Sequence, residues 1–96
     1  MQRVDEDTMH DVMFNFKQDT FERGSYIYKE GEISNSIFIV KNGIVEVTVR
    51  IEKTEVAIER LYRGSVINHN AFLIGDVCHV SARCIETLTL FYVTYE

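Results

Sequence analysis

The longest regular alternation in the chain runs over residues 44–52, where Val45, Val47, Val49 and Ile51 fall on one side of an extended backbone and Glu46, Thr48, Arg50 and Glu52 on the other. A period of two with β-branched residues at every second place predicts a strand with one face in a core and the other in water. After a polar turn at Lys53-Thr54 the alternation resumes at Val56 and Ile58, which predicts an antiparallel hairpin whose two-residue turn lacks the customary glycine. Tyr26-Ile27-Tyr28 and Ile37-Phe38-Ile39-Val40 predict shorter strands upstream, and residues 80–85 and 88–93 predict two more downstream. Gly24, Gly31, Gly43, Gly64 and Gly75 punctuate the pattern as turns. Short strands at this spacing, about eight in all, imply an all-β sandwich or roll.

Two stretches depart from the period of two. Residues 5–13 are acidic first and then apolar at Met9, Val12 and Met13, the pattern of a short helix with carboxylates at its positive end and His10 on its solvated face. Residues 64–75 carry the polar triplet Asn68-His69-Asn70 followed by Ala71-Phe72-Leu73-Ile74, which predicts a single capped turn of helix between two strands. Such a turn presents unpaired backbone N–H groups, the local physics of an anion site. An ordinary connection with an Asn cap fits the same residues. The chain divides accordingly into a helical lead-in, residues 1–16, and a β-roll, residues 17–96.

Length and charge narrow the function. Ninety-six residues give room for one domain with one core, and no apolar run approaches the ~20 residues of a membrane span. Ten Lys and Arg scattered among fifteen Asp and Glu, net charge −5, argue against a surface that tracks a phosphate backbone. Cys78 and Cys84 are too few for a disulfide scaffold and lack metal spacing, so they read as thiols of a reducing compartment and as small buried hydrophobes. Neither a signal peptide nor an Asn-x-Ser/Thr sequon speaks against that compartment. Catalytic constellations are missing: Ser25, Ser34, Ser36, Ser65 and Ser81 have no paired base at motif spacing, and Glu30-Gly31-Glu32 reads as a solvated turn. His69 and His79 lie ten apart without the His-x-His pair of a jelly-roll metal centre. A regulatory domain rather than an enzyme is expected, with no metal. The ending at Glu96, directly after an apolar run, suggests a piece of something longer.

The succession Phe21-x-x-Gly24-Ser25-x-Ile27-x-x-x-Gly31-Glu32, then Ile37-Phe38-Ile39-Val40-x-x-Gly43-x-Val45-x-Val47, then Leu61-x-x-Gly64-Ser65, resembles the cyclic nucleotide-binding domain family over nearly the whole chain. The resemblance implies a mainly β protein, an eight-stranded antiparallel β-roll with a short N-terminal helix and a one-turn helix in the phosphate-cassette position. In that family, cassette backbone amides and an Arg take the cyclic phosphate, and a Glu takes the ribose hydroxyl. Ile67 matches the cassette Phe, Asn68 its Gly and His69 its Glu. Asn70 follows, and Ala71-Phe72-Leu73 match the apolar helix turn. Cys78 falls at the Arg position, His79 beside it, and Ser81 at the Ser/Thr position. Both charged ligand contacts are thus replaced. Arg83 lies five residues beyond Cys78, and an odd offset on a strand reverses the face, so it restores the charge only through a slip of register. Val45 and Leu61 match positions that line the base side of the family's pocket, and plain core fits them as well.

Degenerate cassettes of this kind are similar to those of the cyclic nucleotide-binding homology domains in voltage-gated cation channels, including potassium channels. The resemblance then implies a cytoplasmic regulatory or assembly module of a channel-like membrane protein, with weak cAMP or cGMP binding or none. Its partners would be other domains or subunits of the parent protein, without nucleic acid and without membrane insertion of this piece. The alternative is a competent cAMP or cGMP sensor of a kinase-regulatory or transcriptional protein, which requires an anion contact from outside the cassette. The family's two lid helices follow the last strand, and the sequence is expected to lack them.

Overall fold

The computed structural model describes residues 3–33, 36–67 and 77–94. Helix α1 spans Glu6–Asn15. The Asp5 side chain caps it by accepting from the Thr8 N–H at 2.8 Å, and Glu6 and Asp7 put further negative charge at its positive end. Met9 and Val12, three apart and therefore on one face, are buried. Met13 was expected to join them, but it turns off that face and is 48% exposed.

The chain extends at Phe16 and forms eight strands: β1 Lys17–Phe21, β2 Tyr26–Tyr28, β3 Ser36–Asn42, β4 Val45–Ile51, β5 Thr54–Leu61, β6 Val66–Ile67, β7 Ser81–Cys84 and β8 Leu88–Thr94. They assemble into two four-stranded antiparallel sheets, β1-β8-β3-β6 and β2-β7-β4-β5. The mainly β roll expected from the turn spacing is the fold observed. β1 and β6 had no alternating signature of their own: β1 is largely exposed at one edge, and β6 is only two residues long.

Two apolar clusters divide the interior. Val40, Val45, Val47, Leu61, Ile67, Ala82, Cys84, Leu88 and Leu90 fill the space between the sheets. Met9 and Val12 of α1 close over Ile39, Val66 and Phe91 on the other side of the first sheet. Alternation along β3 and β8 sends Val40 and Leu90 inward and Ile39 and Phe91 to the helix, so both faces of that sheet are buried. Each fully buried aliphatic side chain contributes about 1.5–3 kcal/mol. Gly43 sits where these layers meet, with φ +103° and room for no side chain: a Cβ there would lie 2.7 Å from the Thr87 carbonyl oxygen.

The β4–β5 hairpin corrects three expectations. Its turn residues are Glu52 and Lys53, with Thr54 already in β5 opposite Ile51, and Glu52 itself takes the positive φ of 57° that a glycine would otherwise supply. Val56 and Ile58 stay exposed at 36% and 55%, because β5 is an edge strand and the register shifts opposite Val47/Thr48. The polar face of β4, expected to be wet, is covered in its first half, with Glu46 8% exposed and Thr48 fully buried, while Arg50 and Glu52 are exposed. Long side chains of the neighbouring strands close over it.

Candidate functional site

The segment carrying Cys78 is held by the turn after β2. Ile33 and Val77 form an isolated bridge, the Gly31 N–H donates to the Cys78 carbonyl at 2.8 Å, and the Cys78 N–H donates to the Glu32 carbonyl at 2.7 Å. The turn is stiffened by its own acids, since Glu32 Oε1 accepts from the Lys29 N–H at 2.6 Å and Glu30 Oε1 from the Arg50 N–H at 3.2 Å. Glu30-Gly31-Glu32 is exposed, the solvated turn expected, and Glu30 also ties it to the backbone of β4. Cys78 is 2% exposed and His79 is exposed. Burial, and after it the nearby Cys78 thiol, push the Tyr28 hydroxyl well above its ordinary range.

From Cys78 the chain bends into β7, where Ala82 and Cys84 point into the roll at 0% and 1% exposure. Ser81 and Arg83 consequently face outward. The Ser81 hydroxyl accepts the Glu30 N–H at 2.9 Å. Arg83 is opposite Glu46 and Tyr26 in the ladder, and its guanidinium donates to Glu46 Oε1 and, at 2.8 Å, to Glu55 Oε1. Glu55 also accepts from the Thr48 hydroxyl at 2.8 Å and the Tyr26 hydroxyl at 2.9 Å, while Arg60 adds a second cation beside Glu46 at 3.4 Å. The Arg83 hydrogen bond holds the Glu46 carboxyl below its ordinary 4.5, against the pull of burial. Hydrogen bonds from Thr48 and Tyr26, then the charges of Arg83 and Arg50, do the same for Glu55.

This network was not read from the sequence. Its members are alternate residues on four strands, and only the pairing of β2, β7, β4 and β5 brings them into rows. Beside it Tyr26, Lys29, Glu30, Arg50, Glu55 and Ser81 line a shallow groove of about 200 Å³.

The expected ligand residues fall into three groups. Asn68, His69, Asn70 and Ala71, with the single helical turn predicted around them, lie outside the described residues. Val45 and Leu61 face each other across the hairpin within the roll core, at 0% and 2% exposure, and Val45 is also opposite Cys84. Cys78 is buried, whereas Ser81 and Arg83 alternate with the inward Ala82 and Cys84 on the outer face of β7. Arg83 is held there by Glu46 and Glu55. Between Arg63 and Arg83 the sequence holds no Lys or Arg, and Arg63 itself is paired with Glu6 at 3.0 Å and donates to the Lys41 carbonyl at 2.7 Å. Both cysteines are buried thiols, and burial pushes the Cys84 thiol up to about 11. Among the described residues no group of three or more His, Cys, Asp or Glu is placed to hold a metal, and no helix is long and apolar enough to cross a membrane.

Two four-stranded antiparallel sheets joined through glycine turns form the roll, and residues 18–96 match the cyclic nucleotide-binding domain family. The chain belongs to that family. No curated protein matches it. Among solved structures, the half-site-occupied form of the EAL enzyme Bd1971 is 22% identical with a TM-score of 0.79, over 82% of this chain and 71% of that one. The catabolite activator protein of Thermus thermophilus is 16% identical with a TM-score of 0.82, over 95% of this chain and 43% of that one. The regulatory domain of Toxoplasma gondii PKA, crystallised with cAMP, is 16% identical with a TM-score of 0.81, over 95% and 35%. At these identities the likeness is one of fold. The chain spans less than half of the activator protein and of the PKA regulatory domain.

Proposed function

We propose that this domain is a regulatory or assembly module whose phosphate cassette is degenerate, binding cAMP or cGMP weakly or not at all. The observation that carries this reading is the separation of Cys78 from Arg83. A cyclic phosphate bears a full negative charge, and a charge-assisted contact contributes about 1.5–3 kcal/mol, roughly twice a neutral one. Cys78 supplies no cation, and the next Arg along the chain, Arg83, is on the outer face of β7, held by two carboxylates. His69 and His79 are the remaining basic residues between Arg63 and Arg83.

Cassettes degenerate in this way are similar to those of channel-type homology domains. On that likeness the parent protein is a voltage-gated cation channel-like protein with this module on its cytoplasmic side. Its mechanism is then a rigid roll whose contacts bias flanking helices between two positions. The competing reading, a competent sensor, draws support from the family match and from relatives solved with cAMP.

An amide-shift titration with cAMP and with cGMP separates the two readings. Shifts absent or unsaturated at millimolar ligand are expected. Saturable shifts confined to residues 67–81 at micromolar ligand would establish the sensor instead.

A further inference from the structure

Each sheet ends in two edge strands, and the four differ in length. β1, β2 and β6 have five, three and two residues, whereas β5 has eight and is the longest strand of the roll. A long open edge presents a row of unpaired backbone N–H and carbonyl groups, a template on which another strand adds. Among the described residues β5 pairs with β4 alone. Every residue from Thr54 to Arg60 is exposed except the half-buried Glu55. Val56 and Ile58 stand on this edge at 36% and 55% exposure, with Ile51 at the hairpin end at 58%.

Charged side chains protect such an edge when they repel an incoming strand. On β5 their signs are mixed. Thr54, Val56 and Glu59 lie opposite Ile51, Val49 and Val47, while Glu55, Ala57 and Arg60 lie opposite Arg50, Thr48 and Glu46, with Ile58 the extra residue where the register shifts. Glu55 is engaged by Arg83, Thr48 and Tyr26. Glu52, Lys53 and Glu59 have no ion-pair partner among the described residues, and Arg60 meets Glu46 at 3.4 Å with a side chain 55% exposed.

We propose that this edge is a dimer seam, in which β5 pairs antiparallel with β5 of a second copy about a two-fold axis at Val56. Charge selects both the occupant and the register. A two-fold centred on Glu55 or Glu59 sets a carboxylate against itself, one centred on Ala57 sets Glu55 against Glu59, and one centred on Ile58 sets Val56 against Arg60. Centred on Val56, the two valines meet and Thr54 lies opposite Ile58. Ala57 leaves room beside Glu55, Lys53 faces Glu59, and Glu52 faces Arg60. The symmetry makes each of these contacts twice, once from either copy. The two copies of sheet β2-β7-β4-β5 then run on as one, and the apolar side chains at the edge gain cover. The seam goes beyond the proposed function: it names a partner and requires no nucleotide.

Sedimentation equilibrium of the 96-residue chain from micromolar to millimolar concentration, without nucleotide, tests the seam in the native protein, Lys53→Glu, Glu59→Lys and the double exchange. Both side chains are exposed, so the fold is expected to survive. The native chain is expected to dimerise, each single reversal to weaken the dimer at least about fivefold, and the double exchange to restore it to within about twofold. Amide exchange at residues 54–60 of the native chain is expected to slow as the dimer fills, with Lys17–Phe21 at the β1 edge unchanged. A monomer at every concentration would overturn the second copy as occupant and leave the edge to a different chain. A dimer indifferent to the single reversals would also overturn the seam, as would losses that the double exchange does not restore. So would association that continues past two copies, or slowing at β1 in place of β5. Because ligand is left out, the seam and the weak-binding reading stand or fall separately.

Discussion

The outer face of β7 and the buried segment that leads into it are held in opposite ways. On the outer face Arg83 is enclosed by Glu46, Glu55 and Tyr26, each charge answered by another within hydrogen-bond reach. Five residues earlier, Cys78 is a buried thiol at 2% exposure. Removing one member of the outer network leaves a charge stranded under neighbouring side chains, whereas at Cys78 a small, mildly apolar side chain fills a buried place without bringing a charge into it.

The sharpest way to break the outer face is Arg83→Met, which leaves Glu46 covered and opposed only by Arg60. Breaking a buried pair by removing one partner costs about 3–5 kcal/mol, and Arg83 is partly solvated, so a loss of roughly 2–3 kcal/mol is expected in urea unfolding. A loss below about 0.5 kcal/mol would put the network among ordinary surface pairs. The buried segment is tested by Cys78→Arg. If the absent cation is what weakens the cassette, restoring it should tighten cAMP binding about 10- to 100-fold in calorimetry, the equivalent of one charge-assisted contact. Unchanged affinity in a folded variant would place the defect elsewhere in the cassette.

The smallest effect is in pH. The Glu46 and Glu55 carboxyls are held below 4.5 in the folded protein, so they bind protons more readily when it unfolds. Their contribution is complete above about pH 4.5 and is lost as pH falls through the lowered folded values. Urea midpoints of the native chain should therefore decline below pH 4.5, and those of Arg83→Met should decline less steeply over the same window. Parallel slopes would separate the acid sensitivity from Arg83.

Legibility from sequence followed how local each cause was. The helix was visible because Asp5 caps Thr8 three residues away and Met9 and Val12 repeat within one turn. β4 was visible because β-branched residues alternate along it. What stayed hidden depended on partners far along the chain. Glu46 read as a wet residue because its cations, Arg60 and Arg83, are set beside it only by strand pairing. Val56 and Ile58 read as core because nothing in the alternation says that β5 is an edge strand or that its register shifts.

The sequence by itself therefore determined the strand and helix periods, the glycine turns, the family and the lack of any Lys or Arg between Arg63 and Arg83, all carried by neighbouring residues or by motif order. The tertiary structure alone decided which polar residues are buried, where Arg83 spends its charge, and that Arg63 pairs with Glu6 of the first helix. Those outcomes depend on which strands become neighbours, and hydrogen bonds and ion pairs act only over a few ångströms in space, however far apart their partners lie along the chain.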